Sequence, residues 1–402
     1  MRFCFLALVP FIALAPARAE VTLLGVGSLP GDATDLSGLT GKQTDGTPNN
    51  RLGGHGSTIA YTGRGADYIL ASDRGPKDGG TDFACRVHRM TIAVTPGAAP
   101  AVSLKLTATT MLTTEAGRPF IGTAAAIDRD PAKSQRLDPE GVRAGRGGHF
   151  YISDEYGPFV YEFDAKGRKV KELPVPAKFR PLAVGPKPED ELPPKNTVGR
   201  LPNRGMEGLA VTPDGGKLVG AMQSPLIQDG ALGADAARVG LNCRLLEIDR
   251  ATGKTREFVY PLDDAGNGVS EILAVNDHEF LVIERDSKAG KEAAAKKIFL
   301  IDLAGATDVS AVDRLPAAGL PKGVKPAAKK LFLDLLDPRF GIAGPDCLEK
   351  FEGLAFGPDL PDGRRLLLVT ADNDFVADRP FRVYAFAVGR KDLPAYSPQA
   401  FD

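Results

Sequence analysis

Short glutamate-bearing openings recur along the chain, each leading into a strand-like apolar run: Asp138-Pro139-Glu140-Gly141, Gly205-Met206-Glu207-Gly208, Val269-Ser270-Glu271-Ile272 and Lys350-Phe351-Glu352-Gly353. Their glutamates lie 67, 64 and 81 residues apart. Second strand-like segments follow and end in polar residues, as in Tyr151 to Glu155, Leu281 to Asp286 and Leu367 to Asp374. A strand-built unit of this length cannot bury its apolar face alone, whereas copies arranged around an axis bury one another and protect their edges. The spacing predicts an all-β propeller with the glutamates converging near its axis.

Counting the openings gives five blades, and six if Val102 to Arg136 or the N-terminal strand forms a unit of its own. Ser57-Thr58-Ile59-Ala60 reads as a degenerate opening with serine in the glutamate place, and Asp35-Leu36-Ser37-Gly38-Leu39 as a partial one. Val21 to Val26 is expected to close the ring as the outer strand of the last blade. In the unit after Glu271, the outer strand is expected at Asp308 to Val312, with a short helix over Glu292 to Lys296. Pro225 to Gly240 reads as an insertion looping over one face. Gly at 46 and Pro at 32 agree with many short strands joined by turns.

The first nineteen residues read as a secretory signal: Arg2, an apolar run from Phe3 to Ala15, and small residues at Ala17 and Ala19. Residues 20–402 are then one domain, periplasmic or secreted. No later apolar run approaches the roughly 20 residues that a membrane span needs, so no span is expected after cleavage. Lys and Arg total 50 against 51 acidic residues, which leaves no basic excess for a phosphate backbone and disfavours nucleic acid as a partner. The sequence points to no particular protein partner. Cys85, Cys243 and Cys347 remain after cleavage, and an oxidising compartment suggests one disulfide and one buried thiol, with the pairing open.

Carboxylates gathered on an axis repel, and a hard divalent cation with oxygen ligands relieves that repulsion. Calcium is the expected metal, with Glu140, Glu207, Glu271, Glu352, Asp73 and Asp372 as candidate ligands. Asp154 and Glu155, at the end of a predicted strand, are candidates for ligand or general base. Arg74 and Arg204 could clamp an anionic substrate with their guanidinium forks. His55, in Gly53-Gly54-His55-Gly56-Ser57, is a further acid–base candidate. A metal with an open position can polarise a phosphoryl or acyl oxygen and activate water. No Gly-x-Ser-x-Gly elbow or Ser-x-x-Lys pair occurs, which disfavours a serine esterase.

Taken in order, Asp35-Leu-Ser-Gly-Leu39, Ser72-Asp-Arg-Gly75, Asp138-Pro-Glu-Gly141, Ser153-Asp-Glu-Tyr-Gly157, Asn203-Arg-Gly-Met-Glu-Gly208 and Phe351-Glu-Gly-Leu354 resemble the phytase-like family, also described as esterase-like activity of phytase. The resemblance spans about residues 30 to 390 and implies a β-propeller acting on a small phosphoester or carboxylic-ester substrate. The sequence lacks the Asp-Asp-Pro-Ala-Ile/Val-Trp and Asn-Asn-Phe-Asp patterns of calcium-dependent propeller phytases, and it has no tryptophan. Inositol hexakisphosphate is therefore not implied. Two other readings fit the acidic openings: a lactonase similar to the gluconolactonase group, and a non-catalytic propeller whose metal is structural and whose loops bind a ligand or protein.

Overall fold

The computed structural model describes residues 20–401 apart from 129, 131 and 132, so the signal assigned to residues 1–19 lies outside the described residues. The described chain opens with β1 (Val21–Leu29) and then winds one four-stranded antiparallel blade after another. Blade 1 is β2 (Thr58–Tyr61), β3 (Asp67–Ala71), β4 (Arg86–Val94) and β5 (Val102–Met111). Blade 2 is β6 (Pro139–Ala144), β7 (Phe150–Asp154), β8 (Phe159–Phe163) and β9 (Lys169–Leu173). Blade 3 is β10 (Met206–Val211), β11 (Lys217–Met222), β12 (Asn242–Asp249) and β13 (Thr255–Pro261). Blade 4 is β14 (Gly268–Ala274), β15 (Glu279–Arg285), β16 (Lys296–Asp302) and β17 (Ala328–Asp334). Blade 5 is β18 (Phe351–Phe356), β19 (Arg365–Ala371) and β20 (Phe381–Val388), and β1 completes it as the outer strand.

The ring is therefore a five-bladed propeller closed by its N-terminal strand. Val102–Met111, which a sixth blade would have needed, is the outer strand of blade 1. Apolar side chains fill the five seams between successive blades, with Phe351 and Leu281 between blades 4 and 5, and Ile59 and Leu368 between blades 5 and 1. Each such fully buried side chain contributes about 1.5–3 kcal/mol.

Inner strands approach closely enough that three openings need glycine. A Cβ on Gly141 would lie 2.7 Å from Leu209 N, and one on Gly208 2.7 Å from Ile272 N. At Gly353 it would meet Thr370 Oγ1 at 2.2 Å and Ile59 N at 3.2 Å.

Three expectations are corrected. Asp308 to Val312 is not a strand; β17 begins at Ala328, and the intervening segment lies along β13 through Val309 N to Glu257 O and Ala327 N to Val259 O, both 2.8 Å. The Glu292–Lys296 stretch holds only a 3-10 turn at Gly290–Glu292. Cys85, Cys243 and Cys347 are free thiols, each buried in a different seam, so packing keeps them from pairing.

Candidate metal and anion site

A bulge opens each of β6, β10, β14 and β18, and it decides which side chain leaves the ladder. Met206 pairs with Met222 and Gly208 with Ala221, so Glu207 is left over. Glu352 is left over in the same way between Phe351 and Gly353. In β6 the gap between Pro139 and Val142 releases Glu140 and Gly141. A bulged residue is re-aimed out of the strict alternation of the strand. Glu140, Glu207 and Glu352 are buried together, and burial with mutual repulsion raises the Glu140 and Glu207 carboxyls well above the usual range.

Blade 4 departs from this pattern. Val269 pairs with Glu284 and Glu271 with Ile283, so the bulged residue is Ser270. Glu271 stands where the other openings carry glycine, one residue out of register with the remaining glutamates. It ion-pairs with Arg143 at 2.8 Å, accepts from Ile272 N at 2.8 Å and Leu209 N at 3.3 Å, and takes a hydroxyl bond from Thr58 at 3.3 Å. Burial pushes its carboxyl up to about 7, opposed by Arg143.

Two acidic groups complete the mouth of the channel. Carboxylate oxygens of Asp138, Glu140 and Glu155 lie within 4.8 Å of one another, as do those of Asp73, Asp372 and Asp374. Arg74 Nη1 lies 3.0 Å from Asp138 Oδ2 and 3.4 Å from Glu155 Oε2, while its Nη2 donates to Asp78 and Asn203. Gly205 N donates to Glu155 Oε1 at 3.1 Å. The Glu140 side chain has no hydrogen bond or ion pair among the described residues. Burial pushes Asp138 up to about 8 despite Arg74. In the second group Lys350 Nζ lies 3.0 Å from Asp374 and 4.0 Å from Asp73. Asp372 accepts from Gly56 N at 2.8 Å and Asp374 N at 2.6 Å, and burial pushes it up to about 6.

The remaining partners are specific. Gln223 donates to Glu207 and accepts from Arg204 Nη1 at 2.8 Å. Arg285 pairs with Glu352, whose Oε2 stays buried without a partner. Backbone strain gathers at the same end: Lys77, Asp78, Asn203, Asp374 and Phe375 all hold φ between 52° and 60°, a conformation that non-glycine residues keep only where surrounding structure enforces it.

Two sequence candidates sit apart from these groups. Asp154 accepts from Asp138 N (2.9 Å), Tyr156 N (3.2 Å) and Gly157 N (2.9 Å), fastening the turn that presents Glu155. His55 turns inward; its ring centroid is 4.1 Å from that of Phe381, both ring nitrogens lack partners, and burial pushes it down to about 3. The flanking backbone serves the mouth instead, since Gly54 N donates to Asn373 and Gly56 N to Asp372. Asp138, Asp374, Lys350 and Gln223 were not singled out from sequence. The first three stand beside motif residues that were, which is a usable signal; Gln223 has none.

A family model for the phytase-like family, esterase-like activity of phytase, matches residues 50–375, from the loop before β2 to the turn after β19. The chain belongs to the phytase-like family. This phytase-like chain is 29% identical over 343 residues to an uncharacterized secreted protein of Arthroderma benhamiae, covering 67% of this chain and spanning 64% of that protein's length. Among solved structures, a GH43 β-1,3-galactosidase holding galactodeoxynojirimycin is 13% identical, with 88% of this chain and 94% of that chain covered and a TM-score of 0.40. An exo-β-1,3-galactanase from Phanerochaete chrysosporium is 10% identical, with 92% and 66% covered and a TM-score of 0.41. Neither likeness carries an assignment of function. No helix among the described residues is long and apolar enough to cross a membrane.

Proposed function

We propose that the protein is an exported, divalent-metal-dependent hydrolase of phosphate esters or related small esters, with calcium as its metal. One observation carries this reading: Asp138, Glu140 and Glu155 bring carboxylate oxygens within 4.8 Å, and Glu140 has no partner among the described residues. An all-oxygen donor set with an unpaired member and an orphaned Glu352 Oε2 nearby fits a hard cation.

Asp138, Glu140 and Glu155 would hold the ion, with Asp73, Asp372 and Asp374 as a second acidic wall. When bound, a divalent ion there would polarise a phosphoryl or acyl oxygen and lower the pKa of water. Arg74 keeps Asp138 and Glu155 oriented through its Nη1. Arg204, which forms no ion pair among the described residues, is free to bind an anionic substrate oxygen. Glu207, whose proton affinity is raised by burial and by Glu155 and Glu352, is the proposed acceptor of a proton from water.

The test is hydrolysis of an aryl phosphate and an aryl ester by the mature protein, with calcium, after chelation, and in Glu140→Gln. Turnover restored by calcium and lost in Glu140→Gln is expected. In the wild type, calcium at about 100 times its Kd would stabilise the fold by about 2.7 kcal/mol, and Glu140→Gln should shrink that gain. Stabilisation by calcium with no turnover of either substrate would mark the metal as structural, and turnover undiminished by chelation would remove it from the reaction.

A further inference from the structure

The end of the channel opposite the acidic mouth is crossed by the chain itself. The glutamate openings stand at the start of the inner strands, so the last residues of those strands, Tyr61, Ala144, Val211, Ala274 and Phe356, reach the far end. Residues 395–401 run over these strand ends as a strap and touch every blade. Ser397 N donates to Val275 O at 2.8 Å and Ala400 N to Pro213 O at 2.7 Å, while Gln399 Nε2 donates to Ala144 O at 2.7 Å. Tyr396 packs on Phe356 with ring centroids 4.4 Å apart, and Phe401 meets Tyr61 edge-on at 6.0 Å.

Between the strap and the strand ends lies a cavity of about 450 Å³, a volume in the usual range for a small-molecule pocket. Its wall is mostly apolar, with Val211, Leu273, Phe356, Tyr396 and Phe401 prominent in it. The charged side chains of the wall are Arg143, Asp359, Arg365 and Arg390. Arg143 is neutralised by Glu271 at 2.8 Å, and Arg390 by Asp359 at 2.6 Å. Arg365 is left over. It is only 9% exposed, its Nε has no partner, and it forms no ion pair among the described residues. Its guanidinium carbon stands 4.2 Å from the centre of the Tyr396 ring, a contact that holds the cation without supplying a counter-charge. Arg143 Nε, on the same wall, is likewise buried without a partner. The cavity is thus short of one negative charge, and a buried charge is costly unless it is paired.

We propose that this cavity is a second ligand site, which takes a monocarboxylate with an apolar body, its carboxylate on Arg365 and its hydrocarbon against the aromatic rings of the strap. Each part of that description has its own cause. The single unbalanced guanidinium sets one negative charge, and its planar fork matches the two oxygens of a carboxylate. The apolar wall sets a hydrocarbon body, because a sugar would leave hydroxyls without partners against it. The site shares no residue with the acidic mouth, so it does not rest on the hydrolase reading.

The test is calorimetric titration of phenylbutyrate into the mature protein in chelator, so that no cation at the mouth can hold the carboxylate. Phenylbutyramide keeps the body and loses the charge, and it should bind at least about tenfold more weakly than phenylbutyrate. Acetate keeps the charge and loses the body, and it should also bind at least about tenfold more weakly. Arg365→Gln should weaken phenylbutyrate at least about tenfold and leave phenylbutyramide unchanged, a pattern that a collapsed cavity would not give because it would lose both ligands. If the variant does lose both, the ranking of the three ligands in the wild type decides by itself. Absence of phenylbutyrate binding, equal affinity for acid and amide, acetate bound as tightly as phenylbutyrate, or unchanged affinity in Arg365→Gln would each overturn the site. No turnover is measured, so failure here is distinct from failure of the hydrolase reading.

Discussion

At the scale of single residues, Glu271 shows how one position changes the work of a carboxylate. The glutamates of blades 2, 3 and 5 leave their ladders at a bulge, whereas Glu271 follows the bulge and neutralises Arg143. Arg143 also donates to Ile59 O at 2.9 Å and Ile272 O at 2.8 Å, so the pair links inner strands of blades 1, 2 and 4. Removing one partner of a buried pair leaves the other charge uncompensated, at a cost of about 3–5 kcal/mol. Glu271→Ala should therefore lower the urea midpoint severely, and Glu271→Gln less so, because the amide oxygen still accepts from Arg143. An unchanged midpoint in Glu271→Ala would show that the pair is not a structural tie. The spelling Val-Ser-Glu-Ile differs from Met-Glu-Gly-Leu by a one-residue shift of the glutamate, and only pairing with β15 reveals it.

At the scale of elements, β1 and the 303–327 segment protect sheet edges by different means. β1 pairs with β20 from Val21 opposite Val388 to Leu29 opposite Phe381, and thereby joins the two ends of the ring. Deleting residues 20–29 should expose the edge of β20, which invites pairing with another chain. The expected outcome is oligomer or aggregate by size-exclusion chromatography with light scattering; a monomer with unchanged melting temperature would show that the closing strand is dispensable. This strand was legible because its apolar run stands before any opening and the last unit lacks a fourth strand. Asp308 to Val312 misled because Val309 and Val312 are β-branched residues that favour strands. Those side chains instead pack with Val259 and Leu315, and the segment covers β13 of the preceding blade.

At the scale of the whole molecule, the convergence of acids ties stability to pH. Burial pushes Asp138, Asp154, Glu271 and Asp372 up to about 8, 6, 7 and 6. The same groups titrate near pH 4 in an unfolded chain. Between those values the folded state binds more protons, so stability falls as pH rises. For these groups it is fully present below about pH 4 and lost by about pH 8. Thermal melts in chelator should show a melting temperature that declines from about pH 5 to about pH 8, with calcium recovering most of the loss at the upper end. A metal-free melting temperature that climbs over that interval would contradict the raised carboxyls. The sequence by itself determined a propeller of five or six blades with a closing N-terminal strand, and it pointed to convergence of Glu140, Glu207, Glu271 and Glu352, because a repeated opening on a closed ring brings equivalent residues to one axis. Only the tertiary structure decided that the blades number five, that Glu271 belongs to Arg143, that His55 faces Phe381 and that the cysteines lie in separate seams. Those outcomes depend on bulge register and on loops that cross between blades, and neither leaves a periodic mark in the chain.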